Sequence, residues 1–176
     1  MKLLGILRHA KSDWNDVSLR DFDRGLNKRG RKGARLIGRH ILDHGVAWNR
    51  IIASTARRVV DTLEASGLGF PVVWQEDAYL APAQTLLDLL RRQDRDAGSL
   101  LLVGHNPGLQ ELIFELVAPE AENALFGEVA QKFPTAAFAV LELDIDDWSQ
   151  LAEGSGRLVH LARPRDLDPE LGPEAA

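Results

Sequence analysis

Three short apolar runs in this chain stop abruptly in polar residues, and no other feature limits the fold as much. Residues 3–7 run into Arg8-His9, residues 48–53 into Ser54-Thr55, and residues 99–103 into Gly104-His105-Asn106. Runs of this length bounded by polar residues read as buried strands, and helical patterns alternate with them. Asn27 is a good helix N-cap, and after it Ala34, Ile37, Gly38, Ile41 and Leu42 share one helical face before Gly45. Val59, Val60 and Leu63 mark a helix over about 56–66. Residues 70–74 read as a short third strand, residues 75–82 as a loop, and Leu86, Leu87, Leu89 and Leu90 as a further helix. Asn106 as cap and Pro107 at the first helical position precede the stripe Leu109, Leu112, Ile113, Leu116 and Val117. Residues 119–134 read as a loop with one helical turn. Strands over 136–143 and 157–162 follow without a long helix between them, which leaves room for one to run antiparallel. The alternation predicts a three-layer α/β/α fold on a mostly parallel central sheet. A single domain is expected over 1–162. Residues 163–176, with three prolines and no periodicity, are expected as an extended or disordered tail.

Charge and composition narrow the function classes. Lys and Arg total 21 against 26 Asp and Glu, a net charge of −5. No global basic footprint for nucleic acid follows from that, although a local basic pocket is compatible with it. The absence of cysteine excludes disulfides, thiolate chemistry and Cys-zinc sites, and fits a cytoplasmic location. The apolar run at 3–7 is too short for a signal-peptide core or a membrane span.

In a parallel sheet the three polar strand ends share one edge, where ligands of α/β proteins bind. Two arginines, Arg8 and one of Arg57 and Arg58, and two histidines, His9 and His105, would then face one crevice suited to a dianion such as phosphate. The motifs carrying these residues resemble those of the histidine phosphatase superfamily, the phosphoglycerate-mutase-like fold, and within it the small SixA-type phosphohistidine phosphatases. Where that family has Arg-His-Gly, this chain has Arg8-His9-Ala10. Its Leu-Thr-x-x-Gly helix start corresponds to Leu26-Asn27-Lys28-Arg29-Gly30. Its Ser-Pro-x-x-Arg-Ala-x-x-Thr segment corresponds to residues 54–62, which selects Arg58 rather than Arg57. Its strand-Gly-His segment corresponds to Val103-Gly104-His105-Asn106-Pro107. The likeness runs over residues 2–117 in the same order and spacing.

The resemblance implies in-line attack on phosphorus by His9, a phosphohistidine intermediate, and hydrolysis by water. Arg8, Arg58 and His105 would hold the phosphoryl oxygens. No cofactor or metal is implied, because the cationic side chains take the electrostatic role. Lys11, Ser12 and Asn106 are further candidates for phosphate contact. The expected substrate is a phosphorylated protein, phosphohistidine above all, or a small phosphorylated metabolite; neither nucleic acid nor membrane is expected as a partner. Larger family members carry a carboxylic acid for an alkoxide leaving group. Here Glu76 and Asp77 are the candidates, without a convincing motif around them. Two readings compete with the phosphohistidine phosphatase: a small-molecule phosphomonoesterase or mutase, and a phosphate-binding module in which the Ala10 Cβ crowds the nucleophile.

Other conspicuous residues have plainer readings. Arg57 is expected on a solvated helix start, and Asp21, Asp23 and Arg24 in loop salt bridges. His40 and His44, four apart, are expected to complement a helix C-terminus rather than to bind metal. His160 is expected as a structural histidine.

Overall fold

A computed structural model describes residues 1–172. Its strands are β1 (Lys2–Arg8), β2 (Arg50–Ala53), β3 (Val72–Trp74), β4 (Ser99–Gly104), β5 (Phe138–Leu143) and β6 (Gly156–Ala162). They form one sheet in the order β3-β2-β4-β1-β5-β6. The first four strands are mutually parallel where they pair, while β5 is antiparallel to both β1 and β6. The sheet is therefore mixed, with β5 the reversed strand.

Six helices cover it: α1 (Lys28–His44), α2 (Arg57–Ser66), α3 (Ala83–Arg91), α4 (Gly108–Leu116), α5 (Ala124–Gln131) and the short α6 (Pro164–Leu167). Alternation along the strands builds two cores. Leu4, Ile6, Leu100 and Leu102 point to one face and pack with Leu86 and Leu90 of α3, Leu112 and Ile113 of α4 and Val129 of α5. Leu7, Leu101 and Val103 point to the other, against Ala34, Ile37 and Ile41 of α1 and Val59 of α2. These are the three layers expected.

The structure corrects three local readings. Residues 119–134 hold a two-turn helix, α5, in which the Asn123 side chain accepts from the Phe126 N–H. Its apolar residues are few, but Val129 is fully buried and Leu125 and Phe126 pack against the core. Helix α4 begins at Gly108 with Pro107 as its cap, one position later than the sequence pattern indicated. The tail is not extended over 163–172. It forms α6 and a turn at Pro169–Leu171, tied to α1 by Lys32 on Asp168 at 2.9 Å and on Glu170 at 3.5 Å. Pro164 is buried. The remaining tail residues, 173–176, lie outside the described chain.

Gly30 marks a close approach that matters for the site. A Cβ there would lie 2.1 Å from the Lys11 carbonyl oxygen, two residues beyond His9. Gly30→Ala should therefore destabilise the protein by about 1–3 kcal/mol through overpacking. Urea unfolding with an unchanged slope would measure it; an unchanged midpoint would contradict the close contact.

Candidate active site

Strand register brings the polar ends together. Arg8 pairs with Gly104 across β1 and β4, and Ala53 pairs with Val103 across β2 and β4. His9 and His105 consequently emerge at one level of the sheet edge, with Ser54 one residue below them. The His9 and His105 rings lie 5.2 Å apart, and both residues are buried.

Hydrogen bonds fix the His9 ring. Nδ1 donates to the Ala10 carbonyl at 2.8 Å, and the Arg58 Nε–H donates to Nε2 at 3.3 Å. The first bond selects the Nδ1–H tautomer, so the lone pair sits on Nε2, the nitrogen facing Arg58. Burial is the first cause that lowers the His9 pKa, to about 4, with Arg8 and Arg58 adding to it and the Ala10 bond and Asp21 opposing. Desolvation thus outweighs the repulsion from each of the two arginines. His105 is lowered to about 3 by burial, then by His9 and Arg58. It shares a 2.8 Å hydrogen bond between Nε2 and the Ser54 hydroxyl.

Two buried nitrogens at this site have no hydrogen-bond partner: Arg8 Nε and His105 Nδ1. Buried polar atoms are rarely left so. An oxyanion seated between Arg8, His9 and His105 would engage them. The remaining Arg8 guanidinium is steadied by Nη1 on the Phe133 carbonyl at 3.2 Å.

Arg58 is buried and held from a loop that sequence reasoning set aside. Its Nη1 donates to the Asp21 carbonyl at 2.8 Å and its Nη2 to Asp21 Oδ2 at 3.0 Å. Asp21 also accepts from the Tyr79 hydroxyl, which with Arg58 holds its carboxyl below the usual range. The Tyr79 ring meets His105 edge-on at 5.4 Å. Asp21 was expected only as a loop ion pair, and Tyr79 was not singled out. The one available signal was that Tyr79 is the only tyrosine in the chain and lies in a strand-end loop. Asp23 pairs with Arg20 at 2.8 Å, and Arg24 donates to the carbonyls of Asp13, Asp16 and Leu19.

The other candidates separate clearly. Arg57 is exposed and paired with Asp61 at 2.9 Å. Asn106 commits its amide to the scaffold, donating to the Phe133 carbonyl at 2.9 Å and accepting from Gln110 N–H at 3.2 Å. Ser12 is buried and bridges to Leu26, whereas Lys11 lines a cavity next to Arg8. Glu76 and Asp77 are exposed on a turn and bond to none of the site residues. Ala10 is buried among Leu7, Leu26 and Ala34, and its N–H donates to Thr62 Oγ1 at 2.9 Å. Its Cβ therefore has a place in the core, which removes the motive for a crowded nucleophile.

His40, His44 and His160 meet on the far side of α1. His40 and His160 are joined between their Nε2 atoms at 2.8 Å, and the His44 ring lies 4.4 Å from His160. Phe138 packs edge-on against them. Among the described residues no group is arranged to hold a metal ion.

The sequence matches the model of the histidine phosphatase superfamily, branch 1, over residues 4–82. A chain from Agrobacterium tumefaciens designated phosphohistidine phosphatase SixA is 30% identical and superposes with a TM-score of 0.78 over 93% of this chain and 98% of its own. This chain belongs to the histidine phosphatase superfamily, SixA type. A SixA-designated chain from Nakamurella multipartitia superposes with a TM-score of 0.83 at 28% identity, covering 93% of this chain and 96% of that one. An uncharacterised Mycobacterium tuberculosis protein is 32% identical over 160 residues, 90% of this chain and all of the relative. Members of this superfamily are hydrolases. No helix among the described residues is long and apolar enough to cross a membrane.

The histidine values carry a pH consequence. The folded pKa values lie below the ordinary 6.5, so the unfolded chain takes up protons that the folded one refuses. Stability should fall as pH drops from 6.5 toward 4, by about 1 kcal/mol per pH unit for each ring. Urea midpoints at pH 7 and pH 5 would show it, and His105→Asn should flatten the difference. A midpoint independent of pH over that interval would contradict the shifts.

Proposed function

We propose that this protein is a phosphatase that works through a phosphorylated His9 and removes phosphoryl groups from phosphohistidine on a protein. The observation that carries it is the His9 tautomer: a neutral ring whose Nε2 lone pair faces Arg58, beside Arg8 and His105. Nε2 attacks phosphorus, the N–P bond forms, and the bond to the leaving group breaks. Arg8, Arg58 and His105 hold the equatorial oxygens as charge shifts onto them. Water then cleaves the N–P bond, releasing inorganic phosphate and restoring His9. Lys11 lines the cavity that Arg8 also lines. Electrostatic stabilisation comes from side chains, so no metal is required.

The leaving group is where the substrate reading rests. The carboxylates named from the sequence, Glu76 and Asp77, are exposed and unbonded to the site, and Asp21 is held ionised by Tyr79 and Arg58. None of these three carboxyl groups is thus poised to protonate an alkoxide. An imidazole leaves phosphorus readily without one, which favours phosphohistidine over an alkyl ester.

The test is phosphate release from a phosphohistidine-bearing protein and from a panel of alkyl phosphomonoesters, with EDTA and with vanadate. Preferential release from phosphohistidine, indifferent to EDTA and inhibited by vanadate, is expected. Faster release from one metabolite would replace the substrate class. Loss with EDTA, restored by a divalent metal, would overturn the mechanism.

A further inference from the structure

Beside Arg8 lies a cavity of about 400 Å³, walled by the start of α1, the loop before β5 and the C-terminal segment. Among the described residues its lining includes six cationic side chains, Arg8, Lys11, Arg29, Lys132, Arg163 and Arg165, and no carboxylate. That is a concentration of positive charge in a chain whose net charge is −5. Of the described acids of the C-terminal segment, Asp166 pairs with Arg163 of the lining at 3.0 Å, and Asp168 and Glu170 pair with Lys32. The Arg163 charge is partly offset by that pairing; Lys132 and Arg165 enter no ion pair among the described residues. Arg8 belongs to both places, since it stands close enough to His9 to lower its pKa and also lines the cavity. A group bound there would be joined to the phosphoryl site through one side chain.

We infer that this cavity is a second anion subsite, which receives an acidic side chain near the phosphorylated histidine of the protein substrate. The inference rests on the phosphatase reading and adds to it a substrate preference: a phosphohistidine segment with a neighbouring Asp or Glu. Cations lining a concave site attract such a group and steer its approach, an effect that weakens with salt.

The experiment uses the full chain and the double variant Lys132→Ala/Arg165→Ala. Phosphate release is measured on three probes: free phosphohistidine, a phosphohistidine peptide with glutamates on either side, and the same peptide with glutamines. For the glutamate peptide the double variant should raise KM about tenfold with kcat unchanged, and added salt should reproduce part of the loss. The other two probes should respond equally in both proteins. A small bisphosphorylated ester is included as a further arm. A KM response confined to that ester would overturn the peptide assignment and assign the subsite to a second phosphate. Equal KM for the two peptides in the wild type would overturn the subsite itself. Binding of the unphosphorylated glutamate peptide to His9→Ala, read by fluorescence anisotropy with and without the double substitution, separates the two claims. Binding lost in the double variant, with no phosphohistidine turnover in the wild type, would retain the subsite and reject the phosphatase substrate. Turnover without any such binding difference would do the reverse.

Discussion

His9→Ala should lower turnover by about 10⁴-fold or more while the protein stays folded. The ring is the nucleophile in the proposed reaction, and its Nε2 carries the lone pair that faces Arg58. The substitution leaves Ala10 bonded to Thr62 and the β1 backbone bonded to β4, so the surroundings persist. Rapid-quench labelling with a phosphoryl donor carrying ³²P checks the same point directly. Wild type should trap a label that is stable to alkali and lost in acid, and His9→Ala should trap none. A variant that keeps about a tenth of the wild-type rate would remove His9 from the chemistry.

Arg58 carries the second large effect. Arg58→Ala should cost about 10³-fold in kcat, the scale of a lost donor to a developing oxyanion. Arg58→Lys should recover little. Lysine keeps the charge but cannot reproduce a fork that reaches His9 Nε2 through Nε and the Asp21 carbonyl and Oδ2 through its two Nη atoms. Asp21→Asn separates positioning from charge. It should lower activity less than Arg58→Ala does, because asparagine can still accept from Nη2 while the ion pair is lost. If Asp21→Asn and Arg58→Ala proved equally damaging, Asp21 would have a role beyond holding Arg58. Steady-state kinetics on phosphohistidine, with circular dichroism to confirm folding, decides between these outcomes.

The contrast between Arg58 and Asp21 shows where sequence reading stops. Arg58 was found because its motif is local: nine residues from Ser54 to Thr62 set which arginine faces inward. The strands and the first four long helices were found because apolar periodicity is also local. Asp21 and Tyr79 are 58 residues apart, and nothing in either neighbourhood announces that they meet. The same holds for His40 and His160, 120 residues apart. Asn106 misled in the opposite direction. Its place beside His105 suggested a ligand, but the Phe133 carbonyl takes its amide. The segment 163–172 was misjudged for a physical reason. It has no helical stripe, yet docks by ion pairs to α1 and by burying Pro164.

His9, the proposed nucleophile, sits on the middle of the sheet rather than on a lid. β1 is bonded to β4 on one side and to β5 on the other. Past its end, His9 N–H still donates to the Gly104 carbonyl at 3.1 Å, and Ala136 N–H lies 3.0 Å from both the Arg8 and His9 carbonyls. Peeling away β3 or β6, the outer strands, would leave those bonds in place. The proposed nucleophile is thus held by central-strand bonds rather than by an edge that frays early. Fraying confined to β3 or β6 should leave the His9 ring in place, whereas opening of the loops that carry Asp21 and Tyr79 would release Arg58 while the sheet stays intact.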